Sequence, residues 1–266
     1  MTRISACLLL VLAALGCVRQ PAIDHTYRAK SQDSRAQFLI LHFTGGTWES
    51  SVKILTEGAV SSHYLVRDNP VQVYQLVDES QRAYHAGRSS WQGQTQLNAA
   101  SIGIEIQNAG DIPGPDGVVF HDYPKAQMDA VIALVKVIVA RHQIRPDRIL
   151  GHSDIAPTRK VDPGPTFPWK RLADEGLIPW PDATAVAERR VRYGASLPDL
   201  TWFQTKLVEH GFALEVTGSL DPTTKQVLAN FQMKYRPARY DGLPDAETAA
   251  ILDVLTTPPG KLPRFR

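Results

Sequence analysis

The sequence is short of cysteine. Its 266 residues hold two, Cys7 and Cys17, both within the first seventeen positions. The rest of the chain therefore has no disulfide and no thiolate metal ligand, and any metal site there must use His, Asp or Glu. Charge of one sign is also missing: 29 Lys+Arg stand against 27 Asp+Glu, a net charge of +2. That balance gives no electrostatic footprint for nucleic acid. The N-terminal apolar run, Ile4 to Gly16, falls short of the roughly 20 residues a membrane-spanning helix needs. What remains is ordinary globular composition, 43% hydrophobic and 21% charged, which excludes a disordered or collagen-like chain. The length permits one or two domains with a real core.

Arg3 followed by that apolar run reads as a targeting segment. It ends in Ala14-Leu15-Gly16-Cys17, which resembles the lipobox of bacterial lipoproteins, with Ala14 where a Leu is usual. The resemblance implies that Cys17 is lipidated and becomes the first residue of the mature chain. The residue after it is Val18 rather than Asp, which favours the outer membrane, with the protein facing the periplasm.

Residues 18–35 are polar and irregular. Phe38-Leu39-Ile40-Leu41-His42-Phe43 is a continuous apolar run, as in a strand buried on both faces. Residues 63–67 and 71–77 read as two strands about the turn Asp68-Asn69-Pro70. Ser101 to Gln107 alternates, so Ile102, Ile104 and Ile106 share one face and Gly103, Glu105 and Gln107 the other. From Pro124 to His142 the period becomes helical, with Met128, Val131, Val135, Ile138 and His142 on one stripe. Ile149-Leu150 is a short strand leading into Gly151-His152. Strands, a long helix and another strand predict an α/β fold.

After Trp180-Pro181, residues 183–193 read as a linking helix. Three short helical patterns follow. The first, over 199–210, turns Leu200, Phe203 and Leu207 inward and stops at Gly211. The second starts at the N-cap Asp221 with Pro222 behind it and carries Val227, Leu228 and Phe231. The third starts near Asp245 and carries Ile251, Leu252 and Leu255. Gly218-Ser-Leu-Asp221-Pro-Thr-Thr224 and Gly242-Leu-Pro-Asp245-Ala-Glu-Thr248 form a small internal repeat of a Gly turn feeding a capped helix. This segment is large enough to fold as a marginal independent domain, so a chain ending near residue 195 is expected to remain active on small substrates.

His42 lies inside an apolar strand, where a lone imidazole is more often a satisfied core residue than a ligand. It has company. His152 also ends an apolar strand, and opens a stretch containing Asp154, Lys160 and Asp162. Two imidazoles and one carboxylate suit zinc and leave its fourth position for water.

The segments His42-Phe43-Thr44, Ile102-Gly103-Ile104-Glu105 and Gly151-His152-x-Asp154-Ile155-x-Pro157-x-Arg159-Lys160-x-Asp162-Pro163-Gly164 together resemble the zinc N-acetylmuramoyl-L-alanine amidases of the amidase-2 family, over residues 25–180. Within it the match is to the outer-membrane lipoproteins that add a C-terminal peptidoglycan-binding domain, which residues 197–256 resemble through Gly218, Asp221, Thr224 and Phe231-Gln232. The resemblance implies a mixed central β-sheet flanked by helices plus a small C-terminal three-helix domain. It implies a signal peptide over 1–16, a tether over 17–35, a catalytic domain over 36–181, a linker helix over 182–196 and a peptidoglycan-binding-like domain over 197–258. It makes His42, His152 and Asp162 the ligands of one zinc, Glu105 the general base and acid, and Lys160 the stabiliser of developing negative charge. The resemblance also implies that His85 borders the substrate; His63 reads as structural.

The expected reaction is hydrolysis of the amide between N-acetylmuramic acid and the L-alanine of the stem peptide, in peptidoglycan and muropeptides and in cell-wall turnover. No obligate protein partner is evident. Two alternatives stand beside it: a non-catalytic peptidoglycan-recognition protein of the same fold, against which the complete set of His42, His152, Asp162, Glu105 and Lys160 argues, and a peptidase cutting within the stem peptide.

Overall fold

The computed structural model describes residues 21–114 and 117–257; the expected signal peptide and Cys17 lie outside them. The chain divides into two compact units, one up to Asp33 and one from Ser34 onward. In the first, residues 21–33 are exposed and form no helix or strand. Among the described residues, every helix and strand lies in the second.

Its elements run β1 (Phe38–Phe43), α1 (Trp48–Glu57), β2 (Tyr64–Asp68), β3 (Val71–Gln75), the short pair β4 (Ser90–Trp91) and β5 (Gln94–Thr95), β6 (Ser101–Ile106), the hairpin β7 (Asp111–Gly114) and β8 (Gly117–Phe120), and α2 (Lys125–His142). Then come β9 (Ile149–Gly151), α3 (His152–Ile155), α4 (Trp169–Asp174), α5 (Ala183–Ala195), α6 (Leu200–His210), α7 (Pro222–Tyr235) and α8 (Ala246–Thr256). The central sheet has the order β3-β2-β6-β1-β9, parallel except for the antiparallel edge strand β3. The expected strands and the long helix are all present, so the chain has the mixed sheet with flanking helices. The sequence reading did not anticipate α1, the β4–β5 pair, the β7–β8 hairpin or the short helices α3 and α4. The start of α1 did carry a signal, since the Thr47 hydroxyl accepts from the Ser50 N–H as its N-cap.

Side-chain alternation divides the sheet between two cores. Leu39 and Leu41 of β1 and Ile102, Ile104 and Ile106 of β6 pack with Met128, Val131, Val135 and Ile138 of α2. Phe38 and Ile40, of opposite parity, join Leu150 and Ile155 in a cluster with Phe203, Leu207, Val227, Leu228, Phe231 and Leu252. The C-terminal helices therefore share their core with the sheet. The repeat seen in the sequence has a physical basis. The side chain of Gln204 on α6 accepts from Gly218 N–H and donates to Ser219 O, and that of Gln232 on α7 accepts from Gly242 N–H and donates to Leu243 O. Gly218 and Gly242 both have φ of 72°, the left-handed region that favours glycine. Asp221 and Asp245 then cap α7 and α8 by accepting from Thr224 and Thr248 N–H.

Candidate metal and catalytic site

Register places the functional strand residues. β1 and β6 run in parallel with His42 opposite Glu105 and Leu41 opposite Ile104. Both functional side chains leave the sheet on the face away from α2. On the other side of β1, Leu41 is opposite Gly151, the last residue of β9, so His152 follows beside His42. The loop after α3 returns Lys160 and Asp162 to the same place, tied by the Ser153 N–H donating to Asp162 O at 2.9 Å.

His42, His152 and Asp162 are buried, with 1%, 4% and 5% exposure. The Nδ1 atoms of the two histidines are 3.0 Å apart, and each faces Asp162 Oδ2, at 3.0 Å from His42 and 3.2 Å from His152. The outer hydrogen bonds of the rings decide what points inward. His152 Nε2–H donates to Ala86 O at 3.2 Å, a group that can only accept. On the other side, the Ser101 hydroxyl donates to Leu97 O, so its oxygen accepts from His85 Nε2–H at 3.1 Å. His85 Nδ1 is then bare and accepts from His42 Nε2–H at 3.0 Å. Both inward-facing Nδ1 atoms therefore present lone pairs, next to a carboxylate. Three acceptors gathered in a buried place without a proton between them are repulsive unless a cation joins them. Two imidazoles and one carboxylate are a zinc donor set with room for a fourth ligand, so the residues present fit the metal.

The electrostatics follow. Burial, reinforced by His152, lowers the His42 pKa to about 4. Burial pushes the Asp162 carboxyl up, but His152 and His42 outweigh it and hold it below the usual carboxylate range. Glu105 goes the other way: burial and the neighbouring Asp162 charge raise its pKa well above 4.5, with Lys160 opposing. A carboxyl whose pKa is raised in this way is a stronger proton acceptor than a free glutamate.

All five residues named from the sequence line one cavity of about 320 Å³, together with His85. Its lining includes exposed apolar side chains, Ile54 at 53% and Val60 at 47%, and Tyr84 at 49%, whose ring lies under the Arg82 guanidinium, as expected of a ligand-binding rim. His85 is 7% exposed and commits both ring nitrogens inward, which leaves ring carbon for any contact with a ligand. His63 is buried behind it. Its Nδ1 accepts from Gly103 N–H, and the His85 ring occupies the space beside Gly103: a Cβ there would lie 2.5 Å from it. Trp91, 2% exposed, belongs to the core, and Trp48 stacks on Tyr74. Sequence reasoning missed Arg159 as a brace. Its guanidinium donates to Ala86 O and Arg88 O, the former being the carbonyl that orients His152.

Comparison with known proteins identifies the family. The N-acetylmuramoyl-L-alanine amidase family matches residues 32–165, and a peptidoglycan binding domain family matches residues 196–252. The N-acetylmuramoyl-L-alanine amidase AmiD of Escherichia coli is 38% identical over 265 residues, covering 92% of this chain and 95% of that protein. The crystal structure of AmpDh3 from Pseudomonas aeruginosa with anhydromuramic pentapeptide superposes with a TM-score of 0.82 at 38% identity, over 88% of this chain and 97% of that one. The E. coli AmiD complex with anhydro-N-acetylmuramic acid-L-Ala-D-gamma-Glu-L-Lys gives 0.78 at 38% identity, over 88% and 93%. On these likenesses the chain belongs to the amidase-2 family of N-acetylmuramoyl-L-alanine amidases.

Proposed function

We propose that this enzyme uses one zinc, held by His42, His152 and Asp162, to hydrolyse the amide between the lactyl carbonyl of N-acetylmuramic acid and the L-alanine nitrogen of the stem peptide. The observation that carries the reading is the convergence of two histidine lone pairs and a carboxylate at 3.0–3.2 Å, in a cavity also lined by Glu105 and Lys160. The complexes of AmpDh3 and AmiD with anhydromuramic peptides support a substrate range that includes the anhydro sugar.

Bound zinc would supply a water of lowered pKa, from about 16 to about 7, and polarise the carbonyl. Glu105 takes one proton from the attacking water. As the water oxygen bonds to the lactyl carbon, Lys160 faces the negative charge growing on the carbonyl oxygen. Glu105 then returns the proton to the alanine nitrogen as the C–N bond breaks. The products are a muramyl sugar with a free carboxylate and a peptide with a free amino group. The apolar rim of Ile54, Val60 and Tyr84 covers the peptide and limits water. His85 supports the site from behind His42 and borders the substrate through its ring. Mass analysis of products from purified muropeptides, with and without chelator, tests the assignment. Cleavage within the stem peptide, or cleavage indifferent to metal removal, refutes it.

In the same reading residues 197–258 keep the enzyme on polymeric peptidoglycan, since a second weak site raises effective concentration to roughly millimolar. Residues 1–16 are a lipoprotein signal peptide, Cys17 carries the lipid and residues 17–35 tether the enzyme to the outer membrane, in reach of the wall. Cys17→Ser should leave the precursor unprocessed and free of lipid. A processed, lipid-bearing Cys17→Ser protein would exclude the anchor.

A further inference from the structure

Helix α7 belongs to the segment that matches a peptidoglycan binding domain, yet one of its buried amides turns toward the zinc-ligand loop. Asn230 is 1% exposed. Its Nδ2 shares its two hydrogens among three backbone carbonyls, Ser153 O at 3.2 Å, Pro157 O at 3.1 Å and Lys160 O at 3.1 Å. Three acceptors settle which end of the amide faces them, because the Oδ1 end would be repelled. That oxygen instead accepts from Gln226 Nε2 at 3.0 Å. One turn on, Lys234 is 6% exposed and places its ammonium 2.6 Å from Asp154 Oδ2, the same oxygen that accepts from Gly151 N–H at 2.8 Å.

The segment held this way runs from Gly151 to Asp162 and contains His152, Lys160 and Asp162. Apart from the short helix α3 it has little regular structure, so its shape depends on what grips it from outside. A helix that only held polymer would need no donor buried against this loop. Burying an amide is unfavourable unless its hydrogen bonds are made, and here those of the Nδ2 end are made to the ligand-bearing segment.

We propose that Asn230 is a positioning residue for the amidase reaction. From the C-terminal helices it fixes the backbone between His152 and Asp162, so that the ligand side chains and Lys160 keep their mutual geometry. The wall-binding segment is thereby part of the catalytic apparatus as well as a tether. This rests on the roles assigned above to His152, Lys160 and Asp162.

The test compares two buried amides of the same helix in the full chain. Gln232, also 1% exposed, makes its bonds to Gly242, Leu243 and Thr248, within the C-terminal helices. Zinc affinity is measured by chelator competition, and kcat and KM on a soluble muropeptide, alongside thermal midpoints. Asn230→Ala should weaken zinc binding about tenfold, the low end for a group that supports metal ligands. It should also lower kcat by a similar factor, leave KM within about twofold, and leave sedimentation with sacculi unchanged. Gln232→Ala should lower the thermal midpoint but keep wild-type zinc affinity. If Asn230→Ala does not accumulate as folded protein, Asn230→Ser keeps one donor and should show the same changes at smaller size. Equal zinc affinities for the Asn230 and Gln232 variants, or wild-type kcat and zinc affinity in a folded Asn230 variant, would overturn the proposal. A wild-type chain that binds no zinc would instead overturn the functional reading beneath it.

Discussion

His85 Nδ1 lies 3.0 Å from His42 Nε2, on the side of the His42 ring that faces away from Asp162. The bond is the last in a directed series from Leu97 O through Ser101 and His85, and it leaves His42 with a lone pair on Nδ1. Groups that orient a metal-bound histidine typically contribute 10–100-fold to affinity. His85→Ala should therefore weaken zinc binding by roughly that factor in chelator competition. A variant with unchanged zinc affinity and a raised KM would make His85 a substrate contact alone.

Glu105 shares the cavity with the three converging side chains but is not one of them. It pairs in register with His42, but the three converging donors are complete without it. Glu105→Gln should keep one zinc per chain and lose about 10²–10⁴ in kcat, the range for a missing general base. Loss of zinc in this variant would make Glu105 a ligand.

His63 predicts an acid limb in stability. It is fully buried, and burial, opposed by the Gln81 carbonyl and helped by Arg35, lowers its pKa from 6.5 to about 4. Its bare Nδ1 accepts from Gly103 N–H, so a proton there would break a bond to β6. The folded state holds this group neutral while the unfolded chain protonates it below 6.5. The stabilisation is complete above the unfolded pKa and is lost as pH falls through the folded one, by of order 3 kcal/mol. Thermal midpoints between pH 7 and 4 should fall less steeply in His63→Gln than in wild type, although the variant is less stable at pH 7. Parallel slopes would assign the acid limb elsewhere.

Ending the chain near residue 195 should be costly, contrary to the independence read from the sequence. Phe38, Ile40 and Leu150 would lose the cover of Phe203, Leu207 and Phe231. Burying one such side chain contributes about 1.5–3 kcal/mol. The truncated chain should show a lowered thermal midpoint and aggregate, and its activity on small muropeptides should fall with it. A wild-type midpoint and full activity would show that the sheet face tolerates exposure.

Much of this site was legible because its residues sit on periodic elements. Glu105 could be placed by strand alternation, His42 by the continuous apolar run it lies in, and the loop from Gly151 to Gly164 by its resemblance to the amidase-2 family. The helix α2 stripe and the Asp caps of α7 and α8 were legible for the same reason, since each is a local rule. The parts that escaped depend on contacts distant in sequence. Nothing local distinguishes Asn230 from another polar residue on a helix, as its partners lie 70 to 77 positions away. Phe38 and Ile40 signal a buried face without saying what buries it. His85 could be tied to His42 only through Gly103, whose missing side chain makes room for the ring.

The central claim is that His42, His152 and Asp162 together hold one catalytic zinc, and metal analysis of folded His152→Ala beside wild type tests it most directly. The account predicts about one zinc per chain in wild type, and in the variant a near-complete loss of zinc together with loss of amide cleavage. Full zinc occupancy in folded His152→Ala would contradict it.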